Sequence, residues 1–199
     1  MRNRANTQYA LPSSILHWLM AAMVVLQLFI AAVMMASLAY HPFLLALHRP
    51  LGIVILIFVV IRIVNLFLHR PPPAMSTMGP FERLVAKGSE FLLYTLLLVQ
   101  PLTGWAMVSA AGDPVSLGPL QLPPIAPEHA SLFGLLRIGH SVSAYLLFAA
   151  FTAHMCAVLF HTLVLRDGLL SRMAPWPNRR SGGQGTSSAE QTSEEATLR

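Results

Sequence analysis

The chain has 199 residues, 55% of them hydrophobic, with only 11% Asp, Glu, Lys or Arg and a mean hydropathy of +0.60. Soluble domains carry about 25% charged residues, so this composition argues against a water-soluble domain. The net charge of +5 does not point to nucleic acid, because the basic residues border apolar stretches and form no stripe with interleaved aromatics; they read as a membrane orientation signal. The lone Cys156 lies in an apolar run and excludes an internal disulfide or a cysteine-based metal motif.

Charge is absent between Arg4 and Arg49, between Arg49 and Arg62, between Glu90 and Asp113, and between Arg137 and Arg166. Roughly 20 apolar residues at about 1.5 Å each cross a hydrocarbon core. Four segments suffice: Ser14 to Tyr40, Leu44 to Leu68, Leu84 to Ser109, and Leu135 to Leu165. They are continuous rather than alternating, which predicts helices, not barrel strands. The fold class is all-α, an integral membrane four-helix bundle. The first apolar stretch exceeds the roughly 7 to 15 residues of a signal h-region, so a retained helix is expected.

Arg2, Arg4, Arg70, Arg83, Lys87, Arg166, Arg172, Arg179 and Arg180 fall on one side of these spans, and only Arg49 and Arg137 on the other. The positive-inside rule then places both termini in the cytoplasm. Arg70-Pro71-Pro72-Pro73 stops the second helix, and Pro101 is expected to bend the third near its outer end. The proline-rich stretch from Ala110 to Gly134 reads as an ordered external loop. Residues 1–176 form the membrane domain, and residues 177–199, rich in Ser, Gly, Thr, Gln and Glu, read as a disordered cytoplasmic tail.

Ionisable groups inside a span face the bundle interior and serve a function by default. His17 falls near the cytoplasmic end of span one, His48 near the outer end of span two, and His140, His154 and His161 on span four. From His140 to His154 the chain turns back to within roughly 40° of the same face, about 21 Å farther along. His17 matches the depth of His154, and His48 that of His140. Facing imidazole pairs, without carboxylate or thiolate ligands, suit a haem iron held from both sides; zinc would want further protein ligands. The inference is two bis-histidine haems b, with His17, His48, His140 and His154 as iron ligands. The alternative is isolated histidines bonded to carbonyls, in a haem-free proton-relaying transporter or a structural subunit.

Gly52, one turn after His48, leaves space for a macrocycle. Arg62 repeats the 14-residue step from His48, at the depth of the cytoplasmic haem, where a propionate would be its partner. Arg49 and Arg137 are open to the same role at the outer haem or to snorkelling. His161 is open to a propionate contact, a proton route or an interfacial place. His41, His69 and His129 read as solvated, and Glu90 as interfacial.

Ser14-Ile15-Leu16-His17-Trp18, Leu47-His48-Arg49-Pro50-Leu51-Gly52 with Arg62, Tyr94, Pro101-Leu102-Thr103-Gly104, and Gly139-His140 with His154 and His161 resemble the bacterial cytochrome b561 family. The resemblance extends over about residues 10 to 176, including Gly112-Asp113-Pro114 and Leu117-Gly118 of the outer loop. It implies two haems b in the inner membrane, ligated by His17 and His154 on the cytoplasmic side and by His48 and His140 on the periplasmic side. It further implies electron transfer between the quinone pool and a periplasmic redox partner; one activity in the family oxidises superoxide and reduces ubiquinone. Related cytochromes are membrane subunits of hydrogenases and dehydrogenases. Glu90 stands where family members often carry histidine. Trp105, Ser109 and Tyr145 are open to lining a quinone slot, but none is assigned.

Overall fold

A computed structural model describes residues 9–69 and 78–173. Arg2, Arg4, Arg70, the proline run that follows it, Arg179, Arg180 and the tail from Pro177 onward lie outside the described residues. Within them, α1 (Leu11–Ala36), α2 (His41–Leu68), α3 (Pro80–Ala110) and α4 (Ala130–Leu159) are long, apolar helices. A π-helical turn, Phe160–Leu165, extends α4, and a short α5 (Leu169–Arg172) follows.

Local sequence explains where the helices start. Pro12, Pro42 and Pro80 stand in the first turns of α1, α2 and α3, where a missing N–H costs nothing and a fixed φ is already helical. Before α3 the Glu82 carboxylate accepts the Gly79 N–H at 2.9 Å. At α4 the His129 ring accepts the Leu132 N–H at 3.4 Å, so this exposed histidine caps a helix rather than merely facing solvent. Helix α1 ends at Ala36, earlier than expected, with Ser37 extended. Helices α2 and α3 continue through Pro50 and Pro101.

Neighbours in sequence pack together: α1 on α2, α2 on α3, and α3 on α4, while α4 has no comparable approach to α1 or α2 among the described residues. The carbonyl ends of α1 and α3 and the amide ends of α2 and α4 meet at one end of the bundle, here the loop end. The other, the terminal end, carries Tyr9 and Met173. Met20, Ile55 and Val59 form one buried cluster. A second joins Ile53 and Val108 to Val115 of the loop.

That loop contains a small hairpin, β1 (Val115–Leu117) and β2 (Leu120–Leu122), antiparallel with Val115 opposite Leu122. Gly118 adopts φ of 58° in the connection, a left-handed conformation that favours glycine. The hairpin rests against α2 and α3, so the loop is ordered, as expected.

Large side chains such as Phe29, Met35, Phe67, Phe91 and Phe148 are exposed. No more than 17% of the most apolar window of any span is buried inside the protein, so most of the apolar surface is left for lipid to cover. The chain is a multi-pass membrane protein.

Candidate functional site

At the loop end α2 and α4, whose backbones hardly approach, bring the His48 and His140 rings together edge-on. Their ring centroids are 6.3 Å apart with an interplanar angle of 83°. His48 Nδ1 is buried without a hydrogen-bond partner. Gln27 of α1 donates from Nε2 to the His48 carbonyl at 3.0 Å, while its Oε1 is buried and unpartnered. A Cβ placed on Gly52 would meet Gln27 Nε2 at 3.5 Å, an ordinary contact. The face of α2 beside His48 therefore borders Gln27.

His140 is held from several sides. Its Nδ1 lies 3.1 Å from the Gln100 carbonyl and 3.3 Å from Thr103 Oγ1. Its Nε2 lies 3.2 Å from the Gln100 side-chain nitrogen. Gln100 Oε1 in turn accepts from the Ser143 hydroxyl. Gly104 is a steric requirement: a Cβ there would stand 3.0 Å from His140 Cε1 and 3.3 Å from Nδ1.

Arg49, next to His48, reaches across to the loop and donates to Asp113 Oδ2 at 3.3 Å; its Nε is buried and unpartnered. Arg137 is exposed.

At the terminal end His17, His154 and Arg62 lie within electrostatic reach of one another. No hydrogen bond reaches the His17 or His154 ring among the described residues; Trp18 packs edge-on against His17 at 5.9 Å. Arg62 Nε donates to the Tyr94 hydroxyl at 2.6 Å, and the guanidinium sits 5.5 Å from the Tyr94 ring centroid. Both line a cleft with Tyr9, Ser13, Asn65 and the exposed Glu90.

His161 sits on the π-helical turn, its Nδ1 2.5 Å from Asp167 Oδ2. Beyond it the chain crosses from α4 to α1. Arg166 and Gly168 take φ of 50° and 78°, and Asp167 Oδ1 accepts the Leu169 N–H at 3.0 Å. The Tyr9 N–H then donates to the Arg172 carbonyl at 3.1 Å, and Trp18 Nε1 to the Met173 carbonyl at 3.0 Å. This strap joins α1 and α4 where their helical surfaces do not. His41 and His69 are exposed.

Sequence reasoning thus placed the four membrane histidines at two ends, and missed Gln27, Gln100, Thr103, Ser143 and the tight fit of Gly104. One signal was present: Gln27 and Gln100 are the only glutamines in the four spans, and both contact loop-end histidine residues.

A bundle of membrane helices with inward imidazole pairs belongs to the class of membrane cytochromes b. The sequence profile of the prokaryotic cytochrome b561 family matches residues 8–176, and the chain belongs to that family. Among similar proteins, cytochrome b561 homolog 2 of Escherichia coli strain K12 is 26% identical over 174 residues, 83% of this chain and 90% of that protein. The probable superoxide oxidase CybB of Yersinia pestis is 26% identical over 161 residues, 80% of this chain and 92% of that protein. Cytochrome b561 homolog 1 of Escherichia coli strain K12 is 23% identical over 128 residues, covering 64% and 73%.

Family membership implies haem b and an electron-transfer role in a bacterial membrane. The residues present fit that group. No cluster of three or more His, Cys, Asp or Glu suited to a metal ion occurs among the described residues. Metal–imidazole bonds of about 2.0–2.1 Å on each side of one ion put two ring centroids about 6 Å apart, and the His48 and His140 rings are 6.3 Å apart.

Proposed function

We propose that the chain is a di-haem b cytochrome of the bacterial inner membrane, with both termini cytoplasmic and the hairpin loop periplasmic. It passes electrons between the quinone pool and a periplasmic partner. His48 and His140 hold one haem b at the loop end, and His17 and His154 hold the second at the terminal end. The observation that carries this reading is the facing of His48 and His140 from two helices that otherwise stay apart.

Haem held by His48 with His140 and by His17 with His154 would supply a one-electron carrier with no place for substrate at the iron. The chain's residues orient and tune it. Arg62, within reach of both terminal-end imidazoles, would pair with a propionate and favour the reduced state there. Gly52 keeps α2 thin one turn from His48. Arg49 stands beside His48 in sequence, but Asp113 holds its guanidinium, so any attraction of an anionic donor is local. Superoxide as donor follows the name of the Yersinia pestis relative, and ubiquinone as acceptor follows the one activity in the family that the resemblance brings.

A reduced-minus-oxidised spectrum of the purified protein is expected to show b-type bands; their absence overturns the reading. Stopped-flow reduction with superoxide, ubiquinol or a periplasmic cytochrome, each with and without added quinone, identifies the partner. Fast reduction by superoxide, followed by quinone-dependent reoxidation, is the expected result.

A further inference from the structure

The Gln100–Gly104 turn of α3 touches both nitrogens of His140, and chemistry settles which one carries the proton. The Gln100 carbonyl accepts the Thr103 hydroxyl at 2.9 Å and also lies 3.1 Å from His140 Nδ1. A carbonyl cannot donate. With its own hydrogen directed at that carbonyl, the Thr103 oxygen, 3.3 Å from Nδ1, is an acceptor toward the ring as well. Two acceptors at Nδ1 require an N–H there.

The lone pair then belongs to Nε2, and the contact on that side agrees. The Gln100 side-chain nitrogen, a donor, stands 3.2 Å from Nε2. Oε1 of the same amide lies against the hydroxyl of Ser143, a residue buried on α4, whose single hydrogen is shared with the Gly139 and His140 carbonyls at 2.8 and 3.2 Å; the tautomer therefore rests on the Gln100 carbonyl at Nδ1. Gly104 completes the seat by leaving room for the ring edge. The ring is held in one plane and one tautomer by groups from a neighbouring helix.

We propose that Gln100 and Thr103 are positioning residues for His140, fixing the Nδ1–H tautomer so that Nε2 is the nitrogen offered to iron. The assignment rests on His140 being a haem ligand. Acceptors at Nδ1–H raise the basicity of a ligating imidazole. They therefore favour the oxidised metal and lower the potential at this end. Iron held at Nε2 would take the place of the Gln100 amide there and would leave the Nδ1 contacts to orient the ring.

The test uses the purified, haem-loaded full chain, with potentiometric titration and electron paramagnetic resonance of the oxidised state. Thr103→Val, nearly isosteric, removes one acceptor. It is expected to raise the loop-end midpoint potential and alter the anisotropy of that haem's low-spin signal, with the other haem unchanged. Thr103→Ser restores both. Should Thr103→Val fail to accumulate, Ser143→Ala releases the Gln100 amide and is expected to broaden the loop-end signal alone. A loop-end potential and signal identical to wild type, in variants with full haem content, overturn the assignment and leave the proposed function standing. So does an equal shift of both haems, which marks a general structural effect. A wild-type chain without haem overturns both.

Discussion

Under the proposed function, the two ends of the bundle would offer iron the same ligands in different settings. At the loop end His140 is held through hydrogen bonds to Gln100 and Thr103, Arg49 beside His48 is paired with Asp113, and Arg137 is exposed. At the terminal end the imidazoles have no hydrogen-bond partner among the described residues, and Arg62 brings a charge that no carboxylate pairs with in that set. One end is governed by orientation and acceptor dipoles, the other by a cation. Acceptors at an imidazole N–H favour the oxidised metal, and a nearby positive charge favours the reduced one. The account therefore predicts that the loop-end haem has the lower potential, and electrons run downhill from the loop toward the termini.

The largest effect separates the ends altogether. His48→Ala or His140→Ala is expected to remove one haem and leave the other, halving the haem-to-protein ratio with the remaining potential near its wild-type value. Loss of both haems from a stably inserted variant breaks the comparison. Next comes Gly104→Ala. Its methyl group would meet the His140 ring at 3.0 Å, so the ring must shift by a few tenths of an ångström. Weaker haem retention at the loop end alone, measured by haem transfer to an apoprotein acceptor, is expected.

Arg62→Leu acts at the other end. Removing a unit charge at a separation on the order of 10 Å and an effective dielectric near 20 is worth about 1 to 2 kcal/mol. That corresponds to a fall on the order of 60 mV in a one-electron potential. The terminal-end midpoint should drop while the loop-end midpoint stays, and an unchanged value counts against contact with that haem.

The smallest effect concerns the strap that closes the terminal end. Partial burial raises the Asp167 pKa, but hydrogen bonds from His161 and the Leu169 N–H outweigh it and hold the carboxyl below the usual carboxylate range. A depressed folded-state value gives stability that is fully present above the ordinary Asp pKa of about 3.9 and lost as pH falls through the lower folded value. Asp167→Asn is expected to loosen the strap at neutral pH by about 1 kcal/mol, and wild type to loosen only below about pH 4. Trp18 fluorescence reports this, because its indole N–H is bonded to the Met173 carbonyl. Equal fluorescence in wild type and variant across that range counts against the latch.

The spans were legible because lipid excludes charge so strongly that the charge-free gaps from Arg4 to Arg49, Arg49 to Arg62, Glu90 to Asp113 and Arg137 to Arg166 mark them. The histidine pairing was legible because depth follows from residue count along a helix. What encloses the imidazoles was not. Which face of α3 meets α4 depends on packing, and lipid as well as a neighbouring helix can cover an apolar face, so the pattern of α3 does not aim Gln100 at His140. The three-residue strands of the hairpin are too short for an alternating pattern to register. The π-helical turn leaves no mark in composition, yet it carries His161, which Asp167 engages.

The most direct test of two separate imidazole sites is the haem content and redox titration of the purified protein beside its His48→Ala variant. The account predicts about two haems b per chain titrating in two steps, with the lower-potential step missing in the variant. A single haem in wild type, or a variant that loses the higher-potential step instead, would contradict it.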